Sequence, residues 1–183
     1  MDFQETEISG VWLIKPRRFS DARGYFSETF REDLFEAATG IKPNFIQENE
    51  SESVQGVVRG LHYQSGAASQ AKLVRVALGT IVDVAVDLRP GSPTFGRYIS
   101  AELSHENGLQ LYIPRGFAHG FAVVSPLARF LYKVDNYYCP QAEHSIRFDD
   151  PEIGVVWPFA AEEMILSPKD LNGKYLKDSD PAL

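Results

Sequence analysis

The chain has a single cysteine, Cys139, among 183 residues, so no internal disulfide can form. No apolar run approaches the roughly 20 residues that cross a bilayer, and MDFQETEISG lacks the basic start and apolar stretch of a secretory leader. These absences lead to the expectation of a reduced, cytoplasmic protein that does not sit in a membrane. Positive charge is in deficit as well. With 18 Lys and Arg against 25 Asp and Glu the formal charge is -7, and a negative field repels nucleic acid and anionic lipid. A small anion is still within the means of a local cluster of arginines and lysines. Repeats, low-complexity tracts and linkers are missing too, and the length suits one domain, expected over 1–183.

What the chain does have is a series of short β-rich runs divided by Gly, Pro, Asn and Asp. They read ISGVWLIKP, GYFSETF, FIQENES, VVRGLHYQ, KLVRVALGTIVDVAVDLRP, GRYISAELS, LQLYIPRGFAHGFAVVS and ARFLYKVDNYY. Closely spaced strands of this kind predict an all-β sandwich or barrel. In KLVRVAL the alternation places Lys72, Val74, Val76 and Leu78 on one face and Leu73, Arg75 and Ala77 on the other. Helical signals are few: REDLFEAATG, closed by Gly40, and a turn or two in PKDLNGKY. The residues from Lys177 read as a polar, poorly ordered tail, 177–183.

Two histidines carry the chemical question. His62 lies in GVVRGLHYQ and His119 in GLQLYIPRGFAH, and these spacings resemble the two signature motifs of the cupin superfamily, small jelly-roll barrels built as double-stranded β-helices. Metal-binding cupins supply His-x-His, a carboxylate and a further His. Here Gln64 replaces the second histidine, and Lys72 occupies the carboxylate position counted back from Gly79. An ammonium repels a metal cation and a Gln amide is a poor transition-metal ligand, so no metal site is expected. A barrel interior with His and Lys suits negative charge that develops on a bound substrate.

Within the cupins, DARGYFSE, FIQEN, RGLHYQ, KLVRV, DVAVDLR, SPTFG, IPRGFAHGF, LYKVDNYY, DPEI and LSPKD, in that order, resemble the dTDP-4-dehydrorhamnose 3,5-epimerase family over nearly the whole chain. The resemblance implies cofactor-independent removal and return of protons on either side of a 4-keto group in a dTDP-sugar. Such chemistry needs a base, a stabiliser for the enolate oxygen and an acid on the opposite face. His62 suits the base, Lys72 the enolate cation and, by the family pattern, Tyr132 the acid. The carboxylate behind His62 is placed by that pattern at Asp170, and Asp83 of IVDVAV is a second candidate that spacing does not separate from it.

For the nucleotide half of the substrate, Arg23, Arg59 and Lys169 are the expected diphosphate cations. By resemblance, Tyr138 stacks on the base, and Glu28, Gln47, Glu48, Asn49, His119 and Glu143 complete the pocket. The family implies a homodimer with exchanged N-terminal strands, in which Arg23 and Glu28 serve the partner's site. SGAASQAK departs from the family by lacking a proline before Lys72, a change expected to loosen that loop.

Most of these residues also have an ordinary structural reading. Arg23 and Glu28 suit a surface ion pair across a turn, Arg59 a snorkelling strand-end charge, and Lys72 a barrel-rim lysine. Tyr132 and Tyr138 suit packing in an aromatic strand, His119 a hydrogen bond inside the barrel, Asp170 a helix cap, and Glu143 and Lys169 surface charges. The functional alternatives are a relative that inverts one carbon or moves the ketone, and a non-catalytic sugar-nucleotide-binding barrel.

Overall fold

Gly79 breaks the long run KLVRVALGTIVDVAVDLRP into two strands that join different sheets, and the rest of the architecture follows from such divisions. The computed structural model describes residues 1–179. Near the N-terminus lie β1 (Asp2–Glu5), β2 (Trp12–Lys15), β3 (Arg18–Asp21) and β4 (Gly24–Ser27), followed by helix α1 (Glu32–Thr39). The barrel strands are β5 (Gln47–Val54), β6 (Val58–Gln64), β7 (Lys72–Leu78), β8 (Thr80–Asp87) and β9 (Tyr98–Ser104). They continue with β10 (Gln110–Ile113), β11 (Phe117–Val123), β12 (Leu127–Val134) and β13 (Glu143–Ser145), before the short helix α2 (Pro168–Leu171).

Every ladder pairing is antiparallel. One sheet runs in the order β1-β2-β10-β7-β12-β5, a second in the order β13-β6-β11-β8-β9, and β3 with β4 forms a separate hairpin. The central core lies between the two large sheets: Val74 and Val76, Ile81 and Ala85, Phe117 and Phe121, and Ala128 and Phe130 meet there. Both sheets are also covered on their outer faces. Leu61, Tyr63, Val84 and Val86 pack beneath Ile146, Ile153 and Leu176. On the other side Phe35 of α1 covers Ile14, Leu73 and Tyr112, with its ring 4.9 Å from that of Tyr112. Double coverage explains why β11 is buried at every position and shows no polar alternation in the sequence.

α1 ends as its sequence predicts, at Gly40 with φ 71° and its N–H donated to Glu36 O. β1, β3 (Arg18–Asp21) and β13 gave no sequence signal. β1 is polar and largely exposed, and β13 has three residues, Glu143 to Ser145; both exist because they add to the edge of a formed sheet. At the C-terminal end Leu176 is buried and donates its N–H to Asp150 Oδ2 at 2.6 Å, which draws Lys177 and Asp178 into a 3-10 turn. The rest of the expected polar tail, 180–183, lies outside the described residues.

The interior faces are set in register by one close approach. His119 of β11 is directly opposite His62 of β6, and the register slips by a residue between His119 and Phe121. At the slip, a Cβ on Gly60 would lie 2.5 Å from Gly120 Cα, and one on Gly120 would lie 2.7 Å from Arg59 O. Gly60 also has φ 129°, where L side chains are strained. Only glycine at both positions lets the strands meet and aligns the two histidines. Gly120→Ala is therefore expected to cost about 1–3 kcal/mol, the scale of overpacking. A urea midpoint equal to the parent's would mean that the strands part freely.

Candidate functional site

Strand alternation delivers the titratable residues to one end of the barrel interior. Asp83 falls between Ile81 and Ala85, His119 between Phe117 and Phe121, and Lys72 shares its face with Val74 and Val76, all core residues. Tyr132 follows Phe130 by two positions on β12, and His62 alternates with Leu61 and Tyr63, which face outward. Glu143 is opposite Gln64 in the β13–β6 pair and so shares that side. The result is a pocket of about 240 Å3 walled by Arg59, His62, Lys72, His119, Tyr132, Tyr138 and Glu143. Phe121 and Phe130, stacked at 4.4 Å, form its apolar floor. Neither ring was singled out in the sequence, although each lies two residues from a candidate, Phe121 from His119 and Phe130 from Tyr132.

Asp170 lies behind His62, with Oδ1 2.8 Å from His62 Nε2. The Nε2–H direction misses the oxygen, so the contact is one of charge proximity, while the aligned donor to Oδ1 is Gly60 N at 3.0 Å. The other oxygen, Oδ2, accepts from Ser167 N and Ser167 Oγ in a capping box at the start of α2. The cap and the histidine partner are thus the same carboxylate, divided by oxygen. Burial pushes this carboxyl up, but the close His62 ring, together with donation from Ser167 and Gly60, outweighs it and holds Asp170 down at about 2. Asp83, the other candidate, is paired elsewhere: its Oδ2 is 2.9 Å from His119 Nε2. Burial pushes Asp83 up and His119 down, with their mutual attraction opposing both shifts.

The ammonium of Lys72 has no hydrogen bond or close ion pair among the described residues, and the residue as a whole is partly exposed along the pocket. Desolvation pushes it down to about 8, against the pull of Asp83 and Glu143 and with repulsion from Lys169. Tyr132 is held above its ordinary value by burial and by Glu143, opposed by Arg59 and by a hydrogen bond with Asn49, so its phenol keeps its proton at neutral pH. A base site, a buried cation and a protonated phenol therefore converge on one space. Removal of a proton beside a carbonyl, with charge placed on its oxygen, needs these three groups.

Around them, Arg59 donates Nε and Nη2 to Ser53 Oγ at 3.1 and 3.0 Å. Tyr138 donates its hydroxyl to Glu143 Oε2 at 2.8 Å, and Lys169 pairs with Glu143 Oε1. Gln47 stands one layer out, linking Asn49 Oδ1 to Tyr138 N. Gln64, which replaces a metal-cupin histidine, holds Cys139 by two bonds: Nε2 to Cys139 O at 3.0 Å and Cys139 N to Oε1 at 2.9 Å. Among the described residues no three His, Cys, Asp or Glu side chains gather to hold a metal ion.

Gln47, Asn49 and Lys169 are behind the pocket's lining, and three further expected binding residues, Glu48, Arg23 and Glu28, are away from it. Glu48 is opposite Lys133 on the outer face of β5 and pairs with its Nζ at 2.9 Å, because alternation turns it away from Gln47 and Asn49. Arg23 is on the tip of the β3–β4 hairpin and pairs with Asp21 at 2.6 Å, and Glu28 is 3.9 Å from Arg31, so the Arg23 to Glu28 pair across the turn does not form. The hairpin is tied to the barrel at its base, where Arg18 donates to His105 O and Glu106 O, and it exposes Phe19, Tyr25 and Phe26. The SGAASQAK loop is not loosened by its missing proline. Gly66–Ala68 form a 3-10 turn, Ser69 is buried, Gln70 Nε2 donates to Asn136 O at 2.8 Å and Asn136 Nδ2 donates to Ala67 O at 2.8 Å.

Comparison with known proteins agrees with this geometry. Residues 5–178 match the family model described as dTDP-4-dehydrorhamnose 3,5-epimerase. A curated protein of that name from Shigella flexneri is 47% identical over 180 residues, covering 98% of each chain. The crystal structure of an Elizabethkingia anophelis protein of the same name superposes with a TM-score of 0.94 at 48% identity, covering 97% of each chain. A dTDP-6-deoxy-D-glucose-3,5-epimerase from Legionella pneumophila, solved in complex with dTDP-4-keto-L-rhamnose, has a TM-score of 0.94 at 46% identity, over 98% of this chain and 94% of that one. The two-sheet barrel is of the cupin type these neighbours have.

The buried ammonium makes a measurable demand on stability. A lysine whose folded pKa is depressed from 10.5 to about 8 destabilises the fold below about 8, and the burden is relieved as pH rises toward 10.5. Lys72→Met should therefore raise the melting temperature at neutral pH, by a margin that shrinks above pH 8. A margin that is constant with pH would show that the ammonium is not the cause.

Proposed function

The chain belongs to the dTDP-4-dehydrorhamnose 3,5-epimerase family, and from that premise we propose how its pocket carries the reaction. It is an isomerase that inverts carbons 3 and 5 of dTDP-4-dehydro-6-deoxy-D-glucose to give dTDP-4-dehydro-L-rhamnose. In our reading His62 takes the proton from the carbon beside the 4-keto group, and Asp170 stabilises the imidazolium that results. The electron pair moves onto the ketone oxygen, where Lys72 meets it. Tyr132 then returns a proton to the opposite face, which inverts the carbon, and solvent resets both groups before the second carbon reacts. No cofactor takes part in these steps.

The observation that carries this reading is the convergence of His62, Lys72 and Tyr132 on one pocket with Asp170 behind the histidine. Arg59 and Lys169 are the proposed diphosphate cations, Tyr138 the platform for the base, and Glu143 the residue that aligns Tyr138 with Lys169. His119 and Asp83 act from within the wall, as a buried pair beside Lys72. Gln47 and Asn49 brace Tyr138 and Tyr132. We place the enzyme in the cytoplasm, in keeping with its single cysteine.

In heavy water the enzyme is expected to place deuterium at both carbons of the dTDP-4-keto sugar; label at one carbon alone would make it a single-carbon epimerase. His62→Asn should abolish this exchange with dTDP affinity nearly intact, and exchange that survives would return His62 to a packing role. Tyr132→Phe should still exchange protons but return them without inversion. In the parent, turnover should fall as pH rises through about 8, where Lys72 loses its charge.

We further propose that two chains exchange their N-terminal hairpins, so that Arg23 and Glu28 reach the partner's diphosphate. Support comes from the hairpin's exposed Phe19, Tyr25 and Phe26 and from the fact that Arg23 does not line its own pocket. Mixed subunits test this, because Arg23→Ala and His62→Asn damage different sites in an exchanged dimer. Unfolding and refolding the two inactive variants together should restore activity, and persistent inactivity would place Arg23 outside the partner's site.

A further inference from the structure

The wall that bears Tyr138 has lost its sheet. β12 ends at Val134, and beyond Asp135 the stretch Asn136–Cys139 follows the pocket without a neighbouring strand. Side-chain amides take the place of one. Tyr138 N donates to Gln47 Oε1 at 3.3 Å, and Gln70 Nε2 donates to Asn136 O. Gln64 engages both backbone groups of Cys139, whose carbonyl also takes the Ala142 N–H.

A glutamine amide presents a donor and an acceptor in one plane, as the edge of a strand does, and can satisfy the N–H and C=O of a single residue. Gln64 is 6% exposed and lies two positions after His62 on the same interior face of β6. One side chain thus ties the strand of the base to the segment of the nucleotide platform. In a substrate held by its base at one end and reacting at its sugar, that tie sets how deeply the sugar enters the pocket.

We infer that Gln64, assisted by Gln70, is a positioning residue for substrate binding that holds Asn136–Cys139, and with it Tyr138, at a fixed distance from His62. The inference rests on Tyr138 as the platform for the base. It makes Gln64 a determinant of affinity with no part in proton transfer. A histidine there would be unable to engage both backbone groups of one residue, and a carboxylate would set a negative charge against the Cys139 carbonyl.

Gln64→Leu keeps most of the volume and loses both bonds. It is expected to weaken dTDP binding about tenfold, the scale of two lost neutral hydrogen bonds, with the loss in KM and little in kcat. Gln64→Glu keeps the acceptor for Cys139 N–H and becomes a donor only when protonated. Its dTDP affinity relative to the parent at the same pH should therefore recover as pH falls, a response that simple loosening would not give. Gln70→Ala should weaken dTDP binding in the same direction as Gln64→Leu. Combined with Tyr138→Ala, Gln64→Leu should cost little more than Tyr138→Ala alone.

Parent-like dTDP affinity in a folded Gln64→Leu protein overturns the inference, as does a pH-independent Gln64→Glu or, where Tyr138→Ala itself weakens binding, a fully additive double variant. If Gln64→Leu weakens binding while Tyr138→Ala does not, the positioning role of Gln64 stands and the assignment of Tyr138 falls.

Discussion

Asp83 and Glu143 are the two carboxylates that pull Lys72 back toward its charged form, against a desolvation that has already lowered it to about 8. The surrounding arrangement depends on that balance. A cation is useful to an enolate only while it is dry enough to be felt and close enough to negative charge to stay protonated. Asp83 in turn is fully buried and is restrained by His119, whose ring stacks on Phe130 at 5.8 Å in the pocket floor. Glu143 is restrained by Tyr138 and Lys169. The apolar floor, the buried His–Asp pair and the nucleotide wall therefore all bear on the protonation of one amine.

The pocket has two halves with different physics. On the sugar side, charged groups with displaced proton affinities face one another across a low-dielectric space, and their geometry is sensitive to pH. On the proposed nucleotide side, the amides of Gln47, Gln64 and Gln70 hold the backbone of the wall, and their hydrogen bonds do not titrate, although Glu143 and Lys169 stand beside them. In the proposed mechanism this lets the groups on the sugar side change charge while the amide-held backbone keeps its shape. It is achieved within a few residues of one strand, since His62 and Gln64 are two positions apart on β6.

Much of this was legible in the sequence. Alternation in KLVRVAL put Lys72 on the face of Val74 and Val76, and these residues do meet in the barrel core. The same rule, applied to FIQENES, turns Glu48 away from Gln47 and Asn49, although motif matching had gathered all three into one segment. Spacing left Asp170 and Asp83 open as partners of His62, because the choice is made by strand register and by a helix turn 108 positions away, at Gly60 N and Ser167. β13 was invisible because three residues carry no pattern; pairing to β6 defines it. Gln64 was legible only as a lost ligand, since what it holds is backbone that leaves no trace in side-chain identity.

The capping box at α2 has a consequence for how the molecule comes into being. Asp170 is the part of the proposed base that arrives late: it lies near the end of a chain of 183 residues, while His62 belongs to its first half. During synthesis the barrel strands, with His62, Lys72 and Tyr132, emerge long before the carboxylate that completes the histidine. In the proposed mechanism the base is complete only when a single turn of helix has docked Ser167 and Asp170 against Gly60.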